Sequence, residues 1–230
     1  MVFSGKELKD ISKSDILYLI DEKYPEETTL EYKREPWKND TAGREELLKD
    51  VSAMANNQGG FIIIGINTIK DSIGRDIPQG TFCSIKKPHQ TAQSILDKCK
   101  KYIDPRIQGI DTHLIPINQN GTHNILLIYI PVSEIRPHAY LTDRGTIFVQ
   151  RQGHGIIPLS VHEIETLRSA SAIPKLTDFM EEVQLKLGRL ESKLDGVLSF
   201  NSAKTSGDLS EITDPNQLLN LSRKKFIGEE

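Results

Sequence analysis

The sequence predicts an α+β fold: a mixed sheet with helices packed on it, followed by a C-terminal coiled-coil helix. Three observations carry this expectation. Apolar residues recur at helical spacing over 43–57 and 89–103. Short β-branched runs at 61–66, 110–117 and 124–131 lie between and after them, bounded by Gly, Asn and Pro. From Ile173 onward the pattern changes to a single long heptad stripe.

In chain order, Ser14-Asp15 is placed to cap a short helix, ILYLIDEK, that ends before Pro25. Residues 28–34 alternate Thr28, Leu30 and Tyr32 with Thr29, Glu31 and Lys33, the period of a strand. A polar loop, PWKNDTAG, leads into helix 43–57, whose stripe is Leu47, Leu48, Val51, Met54 and Ala55. Gly59-Gly60 stops that helix, the first glycine being suited to a left-handed cap. The continuous run 61–66 then reads as a central strand buried on both faces. Residues 67–87 read as loop, with Gly74, Pro78 and Gly80. Helix 89–103 stops before Pro105, and strands 110–117 and 124–131 are joined by a turn at 118–121. A second hairpin spans 138–151, turning at 142–145, and a short helix over 160–170 closes the domain, for about five or six strands in all.

Beyond it, Ile173, Leu176, Met180, Val183, Leu187, Leu190, Leu194 and Val197 are separated alternately by three and four residues. The intervening positions are mostly charged, and a helix of about 25 residues here would be about 38 Å long. This predicts a coiled coil over 173–198 that makes a homo-oligomer. Residues 199–213 read as a polar linker. Asp214-Pro215 starts a short amphipathic helix, so that 214–227 is a candidate protein-docking tail. The expected organisation is therefore a domain at 1–170, an oligomerisation helix at 173–198, and a linker with tail at 199–230.

Totals narrow the function. The net charge of −3 excludes a globally basic polyanion binder, so any such contact must be local. Two cysteines and the absence of an apolar leader or long apolar stretch read as an intracellular, cytoplasmic protein with no membrane span. The six histidines show no metal-ligand spacing.

The chemistry concentrates in residues 26–35. Glu31 and Lys33 share a strand face, and Glu26 precedes the strand. Two carboxylates brought together repel unless a proton or cation intervenes, and a divalent cation such as Mg²⁺ or Mn²⁺ suits oxygen ligands. From spacing alone, an ordinary solvated strand face with paired charges accounts for the same residues.

Four strings then resemble a known family: EETTLEYKRE (26–35), LLKDVSAMANNQGGFIIIGIN (47–67), ILLIYIPVSEIRPHAY (125–140) and GTIFVQRQG (145–153). In this order, over about residues 14–170, they resemble the Schlafen AlbA-like domain. That resemblance implies nucleic-acid binding, to RNA or DNA. Animal members include endoribonucleases that cut structured RNA such as tRNA at a divalent-metal site built from two glutamates and an aspartate. Prokaryotic relatives include regulators and defence-associated proteins. Carried over by position, the resemblance puts Glu26, Glu31 and Lys33 in the catalytic roles. The metal would fall to Glu26, Glu31 and Asn67. Asn67 stands where the family pattern has aspartate, which removes a negative charge, and Asp71 is the nearest substitute. Lys33, Arg34, Arg136, His138, Arg144 and Arg151 are the candidate nucleic-acid contacts. Asn56, Gly59 and Gly60 read as structural. Two functions follow: a metal-dependent endoribonuclease, or a non-catalytic binding or scaffolding module that recruits a partner through coil and tail.

Overall fold

The computed structural model describes residues 2–3, 5–118, 123–153 and 155–206, with backbone only at 172–176 and 197–206. It divides into two compact units, Met1–Ile173 and Pro174–Glu230. The first is built on a four-stranded sheet in the order β1-β2-β7-β6. Its strands are β1 (Leu30–Lys33), β2 (Gly60–Ile64), β6 (Asp111–Pro116) and β7 (Asn124–Ile130). β1 and β2 run parallel, with Glu31 opposite Ile62, whereas β7 is antiparallel to β2 and to β6.

The run expected to be a central strand is one. β2 is buried at all five positions because both of its faces are covered. Ile62 and Ile64, with Leu126 and Ile128 of β7, face α2 (Thr41–Ala55) and α3 (Pro88–Tyr102). Phe61 and Ile63, with Ile125 and Leu127, face the N-terminal segment and α1 (Lys13–Asp21). α1 begins at Lys13, three residues earlier than expected, because Ser12 and not Ser14-Asp15 is its cap: Ser12 and Asp15 form a reciprocal capping box. Asp40 caps α2 by accepting from Gly43 N–H at 2.7 Å.

Gly59 and Gly60 turn the chain from α2 into β2 at φ +63° and +142°. A side chain on Gly59 would strike the Ile130 carbonyl, and one on Gly60 the Thr29 carbonyl. The double glycine thus sets how closely β2 passes its neighbours.

A second sheet has the order β10-β9-β8-β5, all antiparallel. It contains the expected hairpin, β8 (Ala139–Thr142) with β9 (Gly145–Gln152), plus two short strands not read from the sequence, β5 (Ile103–Asp104) and β10 (Gly155–Pro158). Residues 67–87 are loop only at 71–75 and 83–87. β3 (Ile66–Lys70) and β4 (Asp76–Phe82) make a separate two-stranded ribbon. Pro78 and Gly80 are tolerated there because a two-stranded ribbon has only edges, and a register shift falls between Ile66 and Thr68. Among the described residues, ten strands thus replace the expected five or six. The turn expected at 118–121 lies mostly outside the described residues.

The helix α4 is one span, Val161–Ser206, where the sequence suggested separate helices at 160–170 and 173–198. Met180, Leu187, Leu190 and Leu194 of the heptad stripe are exposed on it. The tail at 214–227 lies outside the described residues. Among the described residues no helix is long and apolar enough to cross a membrane.

Candidate functional site

β1 is an edge strand with one buried face. Leu30 and Tyr32 enter the core beside α1, so Glu31 and Lys33 are turned to the opposite face, level with Ile62 and Ile64 and toward α2. There they meet groups delivered by two other elements.

Lys33 Nζ lies 3.0 Å from Glu31 Oε1 and 3.0 Å from Asp50 Oδ2, with Glu46 at 3.7 Å. Its ammonium also sits 5.0 Å above the Trp37 ring, and the Trp37 indole N–H donates to Asp50 at 2.9 Å. The second Glu31 oxygen is bound by Arg151 from β9, whose side chain is only 2% exposed. Each Glu31 oxygen therefore has its own cation. Burial alone would raise the Glu31 carboxyl, but Lys33 and Arg151 outweigh it and hold it below the usual 4.5. Asp50 is raised instead, by burial and by the charge of Glu31. Lys33 is dehydrated, yet Asp50 and Glu31 more than restore its charge and push its pKa upward.

Glu26 stands at the margin of this network. Its backbone N–H donates to the Asp76 carbonyl at 2.8 Å, and its carboxylate accepts from Tyr32 N–H at 3.0 Å. Burial lifts its pKa to about 7; the Tyr32 N–H works against the rise, and the charges of Glu31 and Asp76 add to it. At neutral pH Glu26 is poised between its two protonation states.

A polar clamp holds the second sheet to α2. Asn56, fully buried, donates to the carbonyls of His138 at 2.7 Å and Val149 at 2.8 Å, and accepts from His138 N–H at 2.6 Å. Asn57 donates to the Arg151 carbonyl at 2.6 Å, and Arg136 donates to the Asn57 carbonyl at 2.9 Å. This clamp delivers Arg151 to Glu31 across 120 residues of sequence.

The sequence-predicted residues divide accordingly. Glu26, Glu31, Lys33 and Arg151 come together. Two proposed nucleic-acid contacts are interior groups: Arg151 is committed to Glu31, and His138 is fully buried with Nδ1 2.6 Å from the Pro105 carbonyl. Burial and the nearby Arg136 lower the His138 pKa, which favours the neutral ring. Arg136 is half-buried and Arg34 pairs with Glu35 at 3.5 Å, while Arg144 is exposed in the β8–β9 turn.

Asn67 and Asp71 are elsewhere engaged. Asn67 donates to Gln79 across the β3–β4 ribbon at 2.9 Å. Asp71 closes the ribbon's turn, accepting from Ile73 N–H at 3.0 Å, Arg75 N–H at 2.8 Å and Arg75 Nε at 2.8 Å. As they stand, Glu26, Glu31, Asn67 and Asp71 do not form one coordination shell, and among the described residues no three acidic, histidine or cysteine side chains are grouped as metal ligands. Sequence reasoning missed Asp50, Glu46 and Trp37. Asp50 did leave a signal: it stands three residues after Leu47 and four before Met54, inside the apolar stripe of α2, where an isolated carboxylate must be paired.

The family model described as "Schlafen, AlbA_2" matches residues 26–160, more than half of the chain. The chain belongs to that family. Among solved structures, the N-terminal domain of a RecG-related protein from Nitrosomonas europaea is 18% identical, with 54% of this chain and 74% of that one covered and a TM-score of 0.39. The DIP2311 protein from Corynebacterium diphtheriae is 19% identical, with 57% of this chain and 22% of that one covered and a TM-score of 0.33.

Proposed function

We propose that this member of the Schlafen AlbA_2 family is a nucleic-acid-binding module. The family match over residues 26–160 carries this reading, because it spans the whole ionic network and both sheets. The geometry favours binding over cleavage: Lys33 and Arg151 occupy both oxygens of Glu31, and Asn67 and Asp71 are bonded within their own ribbon. Glu31, Lys33, Asp50 and Arg151 then act as the brace that joins β1, α2 and β9.

A second reading, metal-dependent endoribonuclease action on structured RNA such as tRNA, rests on Glu26. Its carboxyl is raised partly by the neighbouring Glu31, a charge conflict that Mg²⁺ or Mn²⁺ would relieve. One assay separates the two. Purified protein is incubated with tRNA and with DNA at low salt, with and without Mn²⁺, beside Glu31→Ala and Asn67→Asp. Binding without cleavage in every sample is the expected result. Cleavage by the wild type that Glu31→Ala abolishes would replace the first reading with the second. No mobility shift with either nucleic acid would refute both.

The exposed leucines of α4 support a homo-oligomer through residues 173–198; a cytoplasmic location and a protein partner for 214–227 are proposed from the sequence alone.

A further inference from the structure

The ionic network absorbs its own cations. Lys33, Arg151, Arg34, Lys70 and Arg75 are each paired with a carboxylate of this chain. Four lysines elsewhere form no such pair among the described residues. Two adjoining clefts of about 710 and 330 Å³ lie between the start of α2 and the outer face of α3, sharing Asn39, Gln90, Ser94 and Lys98. Five cations line them: Arg44, Lys86, Lys87, Lys98 and Lys101. The carboxylates beside them are Asp40, which caps α2, Asp97, which accepts from Gln93, and Asp143, which lies outside the lining and accepts from Arg44 at 3.2 Å. The local excess is thus two positive charges, in a chain whose net charge is −3.

None of the four lysines forms an ion pair among the described residues. Lys98 donates to the neutral Asn39 at 3.0 Å, and Lys101 lies 5.0 Å from the Tyr102 ring centre. Arg44 packs on the same ring at 4.8 Å, and its Nε is buried without a hydrogen-bond partner. α3 adds to the field: its first turn carries no acidic residue, and its start at Pro88 has no side-chain cap. From Gln90 to Tyr102 the lining runs along one helix face for about 18 Å. Phosphates recur every ~3.4 Å of rise along each strand of a duplex, so several fit beside such a face.

We infer that this cleft binds the phosphodiester backbone of a nucleic acid, an inference that rests on the nucleic-acid reading above. Side chains with flexible ammonium groups, flanked by amides and hydroxyls, suit a backbone contact without base reading. Both available aromatic groups are already engaged, Tyr102 by cations and Trp37 by Lys33, so base stacking contributes little. No large apolar side chain is exposed in the lining, which disfavours insertion into a lipid surface. Sequence reading passed over these lysines because they are separated in the chain and unremarkable one by one.

The test uses the full chain and labelled oligonucleotides of about 20 nucleotides, as single-stranded RNA, single-stranded DNA and duplex, by fluorescence anisotropy across a salt series. Lys98→Gln/Lys101→Gln should lower the slope of log affinity against log salt by about 1.4 on single strands, two contacts at ~0.7 each. Lys98→Glu/Lys101→Glu should weaken binding at low salt by about tenfold or more, whereas the equally charged control Lys9→Glu/Lys23→Glu should change it less than about twofold. Trp37 fluorescence and circular dichroism establish that the variants fold. If the wild type binds and both Lys98/Lys101 variants bind equally well, the inference is overturned and the nucleic-acid reading stands. If the wild type binds no oligonucleotide, both fall. Preference for RNA, DNA or duplex in the cleft-dependent part identifies the source of the backbone. Lysine-dependent binding to anionic vesicles without oligonucleotide binding overturns the inference.

Discussion

Replacing Arg151 by Met tests whether the ionic network is a structural brace. The Arg151 side chain is 2% exposed and its partner Glu31 is 13% exposed, so the pair is screened little by solvent. Removing one member of a buried pair costs about 3–5 kcal/mol, because the remaining charge stays dehydrated. Glu31 keeps Lys33, which must also serve Asp50 at the same 3.0 Å, so the lower end, about 3 kcal/mol, is expected. That is a large part of the ~5–15 kcal/mol that usually holds a domain folded. Trp37, the sole tryptophan, donates to Asp50 and provides the signal for urea unfolding. The pH dependence follows from Glu31. Its folded pKa lies below its unfolded value, so it contributes stability above about pH 4.5 and loses it as pH falls through the depressed value. The gap between wild type and Arg151→Met should therefore be widest near neutrality and narrow in acid. Adding Glu31→Gln should recover part of the loss, with a coupling of about 0.5–3 kcal/mol. A loss below about 1 kcal/mol, or a gap unchanged by acid, would refute the brace.

Other outcomes are expected. Asn56→Ala strands His138 N–H and the His138 and Val149 carbonyls in the interior, at about 1–3 kcal/mol for each group left unpaired, read by thermal unfolding. Glu26 has the opposite pH sign to Glu31. Its raised pKa means that stability is lost as pH climbs from the unfolded value of about 4.5 through about 7, so Glu26→Gln should flatten the melting temperature between pH 5 and 8. An unchanged slope would show that Glu26 titrates normally. Leu187→Glu with Leu190→Glu should convert an oligomer into a monomer by light scattering; a monomeric wild type would end the coiled-coil reading.

How much was legible depended on the range of the interaction. The buried strand at β2 and the Gly59-Gly60 turn were readable because each is a local pattern with a local cause. The shared face of Glu31 and Lys33 was readable from strand period alone. Their partners were not: Asp50 arrives on a helix and Arg151 on a strand 120 residues away, and no spacing rule links them. Arg151 and His138 were expected at a surface because type and order say nothing of depth, and both are interior. The β3–β4 ribbon was hidden by Pro78 and Gly80, which signal a loop unless the strand is an edge.

The first half of α2 has a further consequence. Its opening turn presents Arg44 beside the lysines of α3, and Glu46 and Asp50 follow toward Lys33. The six-residue step from Arg44 to Asp50 covers about 9 Å, so basic and acidic side chains are segregated within two turns of one helix. If the cleft binds a nucleic-acid backbone as inferred, α2 acts as a signpost: it would direct the strand to the side of Arg44 and the α3 lysines and away from Glu46 and Asp50, before any individual contact is made.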